Sequence, residues 1–403
     1  MFTRYREVLA VPGAWHFSGS ALLGRLPNSM DTIGIVLLVT ASGRSYGLAG
    51  ATSAAYLVAV AALAIPQARL VDRLGQGLVL PVVAVAFAVA MTAFIVVVRS
   101  GGPVWAAFAC VVAAGGSVPQ VGSCVRTRWS HVLDDRASLD TAYALESAFD
   151  EVVFITGPIL VTVLATAWSP VAGLAAAIVA GTVGTLLFAV QRSTAPSPTP
   201  RTRGVRPERL GAQVMVPVCL VGVALGTLFG AAEVTTVAFA SDRGLRGYAG
   251  LLLALWAAGS LIAGVVTGVV TWRVGPAYRL RVGSVAMFVA MIPLSLIGSM
   301  WVMGGWLFVA GFAIAPTIIA AVSLVEKTVP HSRLTEGMTI LETAFVAGVA
   351  PGAAIAGQVI DSHGPSAAYL VSLAAGLVAA VAAFASHDQR PPAPGSSSLN
   401  GAN

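Results

Sequence analysis

Residues 79–98 read VLPVVAVAFAVAMTAFIVVV, an apolar run with no charge anywhere along it. A bilayer core is about 30 Å thick and takes roughly 20 apolar residues as a helix, which is the length of this run. Blocks of this kind recur along the chain. Of its 403 residues 57% are apolar and only 10% charged, with a mean hydropathy of +0.85. Too few charges are present to cover a soluble surface of that size. The sequence therefore predicts an all-α membrane protein with many spans.

Apolar blocks set against Gly, Pro and Arg punctuation give twelve spans, near 15–41, 47–68, 78–98, 104–125, 139–163, 170–190, 213–240, 248–270, 280–299, 305–325, 337–360 and 367–385. The first block holds Arg25 and Asp31 and is too long for a cleavable signal. One connection stands apart, QRSTAPSPTPRTRGVRPERLGA at 191–212, whose composition is that of a flexible linker. It divides the chain into a six-helix bundle over 1–190 and another over 213–385, followed by a disordered tail over 386–403. Arg44, Arg99, Arg243 and Arg246 fall in loops on one side and Arg25 within a span; the rest of the 23 basic residues fall on the other side. That bias predicts a multi-pass protein of the plasma (inner) membrane with both termini and the linker cytoplasmic. It also accounts for the net charge of +6 by topology and lipid contact, so no nucleic-acid partner is expected. Cys110, Cys124 and Cys219 lie in or beside apolar blocks and read as small core residues.

The two halves repeat each other. DRLG (72–75) faces WRVG (272–275), and LESAF (145–149) faces LETAF (341–345), in the same order and at equivalent spans. Duplication of a six-span unit is a common plan among secondary transporters, with a binding site between the halves near the midplane. The loop ARLVDRLGQG (68–77) resembles the signature GxLxDRxGR[KR] of the major facilitator superfamily through Leu70, Asp72, Arg73 and Gly75. Ala68, Gln76 and Gly77 depart from it, and Trp272 stands where the second half would carry the acid. Gly157-Pro158 is similar to part of the GPxxGG element of that superfamily's antiporters. RLPNSM (25–30) and RTRW (126–129) resemble a bacterial efflux-type subgroup. The resemblance implies the major facilitator fold, two six-helix pseudo-repeats working by alternating access. It also implies that Asp72, Arg73 and Gly75 belong to a cytoplasmic gating motif, and that the protein works as a monomer.

Charged residues inside spans are costly and therefore informative. Glu146 and Glu342 occupy the same place in LExAF, so an architectural or gating role is expected, with such a Glu accepting hydrogen bonds from Arg73, Arg126 or a helix N-terminus. Asp150 and Glu151 have Val346 and Ala347 as counterparts and fall near the midplane. Arg25 in the first span lies at a similar depth and is expected to neutralise one of the two, Glu151 being favoured. The remaining acid would carry protons between the two faces; a purely structural pair, or a direct substrate contact, are the other readings. Asp31 and Glu233 are candidates for the cavity, or for solvated positions at the outer mouth. The excess of acids over bases within spans favours protons and cationic or neutral solutes over anions.

Function follows as proton-coupled export of a small organic molecule by antiport, with proton-coupled import of a nutrient as the alternative. The five histidines are scattered, no Walker sequence is present, and neither a metal site, a cofactor nor an enzyme activity is expected.

Overall fold

The computed structural model describes residues 3–198, 212–245 and 248–386. Most of the expected linker, and the tail from 387 onward, lie outside them. Among the described residues there is no strand, and twelve helical spans are long and apolar enough to cross a membrane. They are α1 (Ala14–Ala41), α2 (Leu48–Leu74), α3 (Gln76–Arg99), α4 (Val104–Val132), α5 (Arg136–Ala167) and α6 (Ala172–Val190). The second set is α7 (Met215–Asp242), α8 (Ala249–Val269), α9 (Pro276–Ser295), α10 (Met300–Thr328), α11 (His331–His363) and α12 (Pro365–Phe384). A short helix, Thr3–Leu9, precedes them.

Three spans, α1, α4 and α10, are broken, the last between Gly311 and Ile314, and local chemistry explains the first two. Pro27 has no N–H to continue the helix Ala14–Arg25, so it becomes the first residue of a second helix, Pro27–Ala41. In α4 the helix stops at Gly116 and resumes at Val121. Backbone groups freed at such a break need partners in the membrane interior. Gln67 of α2 supplies them, donating to Val118 O at 3.0 Å and accepting from Gln120 N–H at 2.9 Å.

The helices outrun the predicted spans where arginines interrupt the apolar pattern. Arg126 and Arg128 are buried in α4 and Arg279 in α9, whereas the sequence pattern assigns all three to loops. A hydropathy window ends at a charge; the helix does not, because each guanidinium finds acceptors inside the protein.

The main packings of the first six helices recur in the second six. α1 packs on α5 and α6 as α7 does on α11 and α12; α2 packs on α4 as α8 on α10; α3 packs on α4 and α6 as α9 on α10 and α12. Contacts between the two sets obey the same symmetry, with α2 on α11 mirrored by α8 on α5, and α4 on α11 mirrored by α10 on α5.

The tightest seam is α7 against α11. A Cβ built on Gly226 or Gly230 would strike the backbone of Phe345 or Val349, and one on Gly348 or Gly352 would strike that of Val223 or Thr227. Glycines four apart on both helices thus let the two backbones touch. Gly348→Val is expected to lower stability by about 1–3 kcal/mol through overpacking, whereas Gly305→Val, where a Cβ meets nothing within 4 Å, should not. Thermal unfolding of the purified protein in detergent checks both.

Candidate functional site

Glu146 and Asp150 are four residues apart on α5 and share one face, which points at α1. Arg25, the last residue before the α1 break, donates from Nη2 to Glu146 Oε2 at 2.5 Å and from Nη1 to Asp150 Oδ1 at 2.7 Å. Arg126 of α4 donates to Asp150 Oδ2 at 2.6 Å and to Glu342 Oε1 of α11 at 2.5 Å. The result is a continuous chain, Glu146–Arg25–Asp150–Arg126–Glu342, whose last link crosses from one half to the other. Remaining oxygens are satisfied too. Ser18 and Trp129 donate to Glu146 Oε1 at 2.5 and 2.8 Å, and Ser123 donates to Glu342 Oε2 at 2.9 Å.

Exposure grades along this chain. The side chain of Glu146 is 0% exposed, that of Asp150 28% and that of Glu342 36%, so the chain runs from a sealed interior to the gap between the halves. Three carboxylates share two guanidiniums, and one negative charge is uncompensated when all are ionised.

Arg25 therefore pairs with Glu146 and Asp150, not with Glu151 as expected. The reason is helical geometry: one residue past Asp150 turns Glu151 by about 100°, away from α1. Glu151 instead reaches toward α8, where the Ser260 hydroxyl lies near enough to act on its charge, though short of hydrogen-bond geometry. Of the donors expected for the two LExAF glutamates, Arg126 reaches Glu342 but not Glu146, which takes Arg25, Ser18 and Trp129. Arg73 is exposed.

The segment holding Asp72, Arg73 and Gly75 meets α11 at the end of the molecule that carries the basic loops. The helix Leu334–His363 has no side-chain cap of its own, its N-cap being Arg333. Asp72 Oδ2 supplies one from the other half, accepting the Glu336 N–H at 3.0 Å, where the helix dipole favours a negative charge. Glu336 in turn accepts from Arg69 and Arg333, each at 2.7 Å. Gly75 ends α2 with φ +88, a conformation that side chains resist, and so makes the tight turn into α3. At the mirrored position α5 caps itself: Asp135 accepts from Ala137 N–H at 3.3 Å and Ser138 N–H at 2.8 Å. Trp272 can replace the acid there because that helix end needs none.

A third bridge across the halves was not foreseen. Arg279 of α9 donates to Asp140 of α5 at 2.6 Å, and Ser323 of α10 donates to the same carboxylate at 2.7 Å. No local pattern links residues so far apart in the chain. Arg126, by contrast, had a signal: Ser123, Arg126, Thr127 and Ser130 form a polar stripe at helical spacing, inside what reads as a loop. Among the described residues, hydrogen bonds and ion pairs between the halves all lie at the basic-loop end or near mid-depth, and the opposite end has none.

Asp31 is 1% exposed, so it is not solvated; its Oδ2 accepts from the Tyr56 hydroxyl of α2 and its Oδ1 has no partner. It falls on the stripe Pro27, Asp31, Gly34, Ile35 that faces the bundle interior. Glu233 of α7 and Asp361 of α11 line a cavity of about 400 Å³ near the end opposite the basic loops. Neither has a basic partner among the described residues.

The family model described as Major Facilitator Superfamily matches residues 21–307. A bacterial homologue of the iron transporter ferroportin in its outward-facing state superposes with a TM-score of 0.71 at 16% identity, over 91% of this chain and 98% of that chain. The E. coli fucose:proton symporter FucP gives 0.70 at 13% identity, over 94% and 99%. The human organic anion transporter MFSD10 (TETRAN) gives 0.67 at 16%, over 92% and 95%. These likenesses are of fold alone. No curated protein matches the chain.

Two outcomes test the geometry. Glu342→Gln removes the charge that closes the ion-pair chain across the halves, so a water-soluble maleimide should label a cysteine placed at Thr127 several-fold faster; Thr127 is 4% exposed. An unchanged rate would mean that the pair does not hold this end shut. Asp135 lies outside the spans, and the Ser138 hydroxyl and the N–H groups of Ser138 and Ala137 hold its carboxyl below the ordinary carboxylate range. Its contribution to stability is thus present above the unfolded carboxyl pKa of about 3.9 and lost as pH falls through the lower, folded value. Asp135→Ala should cost about 1 kcal/mol at pH 7 and nothing at a pH below both values, as denaturation measured at the two pH values would reveal.

Proposed function

The chain belongs to the Major Facilitator Superfamily, and on that premise we propose that it is a proton-coupled secondary transporter exporting a small organic molecule by antiport. The observation that carries this reading is the distribution of charge at mid-depth. Both guanidiniums are held by Glu146, Asp150 and Glu342, which leaves Glu151 as a half-buried acid at the boundary between the halves with no base among the described residues. An acid so placed takes a proton from one face and gives it to the other as the halves rock, and Asp150, linked to both arginines, couples that event to the gate.

The closed end carries the basic loops, so it is cytoplasmic by charge bias, with both termini on that side of the plasma membrane. This structure is then the outward-facing state. Alternating access requires the Arg126–Glu342, Asp72–α11 and Arg279–Asp140 contacts to part while a matching closure forms at the other end. Parting leaves Arg126 with Asp150 and frees Glu342, and a proton on Glu342 offsets its lost partner. Asp72, Arg73 and Gly75 act as the gating motif, and Asp31 and Glu233 flank the route to the outside. The protein works as a monomer in the bilayer, and its partners are its substrate and protons. Import is the second reading, favoured by the likeness in fold to FucP, a fucose:proton symporter.

Inside-out vesicles energised by respiration and read with a pH-sensitive dye test the proposal. Cationic and neutral drugs and metabolites are added to wild type, Asp150→Asn and Glu151→Gln. Export by antiport predicts that a transported compound collapses the gradient in wild type, and that Glu151→Gln abolishes the response. A full response in both variants would sink the assignment of the coupling acid. Uptake of solute into whole cells driven by an inward proton gradient, with no response in vesicles, would favour import.

A further inference from the structure

Trp256 and Ser260 stand one turn apart on the same face of α8. Both are enclosed, at 5% and 0% exposure, yet Trp256 Nε1 and Ser260 Oγ have no hydrogen-bond partner among the described residues. Buried polar groups are ordinarily paired, and two orphans on one helix face ask for an occupant. Ser260 lies beside Glu151 across the boundary between the halves. Phe229 of α7 stacks on Trp256 with centroids 4.8 Å apart and planes at 23°, and it meets Phe345 of α11 edge-on at 5.4 Å. Phe229, Phe345 and Glu151 each keep part of their surface free.

The charges around this place have one sign. α8 has no ionisable side chain. From α5, Asp150 acts on Glu151 as a like charge. Arg25 of α1 and Arg126 of α4 are held by Glu146, Asp150 and Glu342. Farther along α7 and α11, Glu233 and Asp361 line their cavity without a base.

We propose that Glu151, Ser260, Trp256 and Phe229 form a subsite for an amphipathic organic cation that has a flat apolar body and a hydrogen-bond acceptor. Its positive nitrogen rests on Glu151, and the body packs on the Phe229–Trp256 stack, where ring faces attract cations as well as apolar surface. The acceptor takes the Trp256 Nε1–H, a group that only donates. A proton on Glu151 and the cation exclude each other, so one proton leaves that carboxyl for each cation that arrives. This inference rests on the antiport reading above and names the class of its cargo.

The test is binding to purified full-length protein in lipid nanodiscs, with empty discs subtracted. The probes are rhodamine 6G, a flat aromatic cation with acceptor oxygens, and Nile red, a flat neutral dye with a carbonyl acceptor. Saturable binding of rhodamine 6G that weakens as pH is lowered is expected, with no saturable binding of Nile red. Glu151→Gln should weaken the cation by about tenfold or more, equivalent to roughly 1.4 kcal/mol; Trp256→Phe should weaken it several-fold, and Glu151→Asp should restore most of it. If Glu151→Gln is not monodisperse, Ser260→Ala and the pH dependence of wild type decide in its place. Equal binding of the two dyes, unchanged affinity in Glu151→Gln, or no saturable binding of rhodamine 6G would each overturn the subsite. In those cases a proton response to a neutral compound in vesicles leaves antiport standing. Glu151-dependent binding without any proton response would instead keep the subsite and remove the coupling.

Discussion

Two guanidiniums among three carboxylates, all inside the membrane span, set the terms for the rest of this structure. A buried ion pair gains little over an apolar core of the same shape, because desolvation offsets the attraction. Breaking it by removing one partner costs about 3–5 kcal/mol. The chain Glu146–Arg25–Asp150–Arg126–Glu342 is therefore better understood as a constraint on arrangement than as a source of stability. Loss of Arg25 would strand Glu146, which has no contact with water and only Ser18 and Trp129 left to hold it. The break in α1 fits this demand: the helix ends at Arg25 and Pro27 starts the next, while Ser29 of that second segment bonds Val153 O of α5 at 3.0 Å.

Arg126 and Arg128 show how the same helix serves two purposes. Two positions apart, they point to opposite sides of α4. Arg126 turns to the boundary and its acids. Arg128, 0% exposed, turns inward and meets no carboxylate. It donates to Gln76 Oε1 and to the carbonyls of Phe188 and Gln191, where the α6 dipole is negative, and its guanidinium stacks 3.8 Å from the Phe188 ring centroid. Arg128 thus fixes α3, α4 and α6 within one half, whereas Arg126 joins that half to the other. A substitution at either is expressed through a different motion.

The spans were legible because a bilayer forces length and composition on a helix, and the repeat was legible because LESAF and LETAF kept their letters. Glu146 and Glu342 match by position in the repeat but not in their surroundings: one is sealed inside its half, the other lies at the boundary. Partner choice is the part that sequence hides. Whether Arg25 meets Asp150 or Glu151 depends on a rotation of about 100° about α5, and depth alone, the only quantity counted along the chain, is nearly equal for both. The solvated alternative for Asp31 fails for the same reason, since its mid-span position says nothing of Tyr56 on the neighbouring helix. Arg279 was missed because it sits where a helix begins and the composition looks like a loop, and Asp140 because it stands at the very edge of its predicted span, far in sequence from its partner.

Departures from the repeat explain why the halves hold together at all. α7, the counterpart of α1, has no basic residue, so Glu342 cannot be paired as Glu146 is by Arg25. It borrows Arg126 from the first half. Asp140 of the first half borrows Arg279 from the second, and the uncapped end of α11 borrows Asp72. Each half is thus incomplete by itself at the basic-loop end, and these loans act there beside further contacts across the halves, Arg136 with Glu326 at 3.9 Å and Thr339 with Ser123 at 2.7 Å. The loans differ in what separation leaves behind. Arg126 retains Asp150, and Glu342 is already the most exposed acid of its chain. Asp140, at 10% side-chain exposure, loses both Arg279 and the Ser323 hydroxyl together. In the antiport proposed above, opening would begin at Glu342, where a proton can replace the missing partner, before it reaches Asp140. Under that proposal the basic-loop end responds to a proton at Glu342 and resists at Asp140, an asymmetry that a perfect repeat of the two halves would lack.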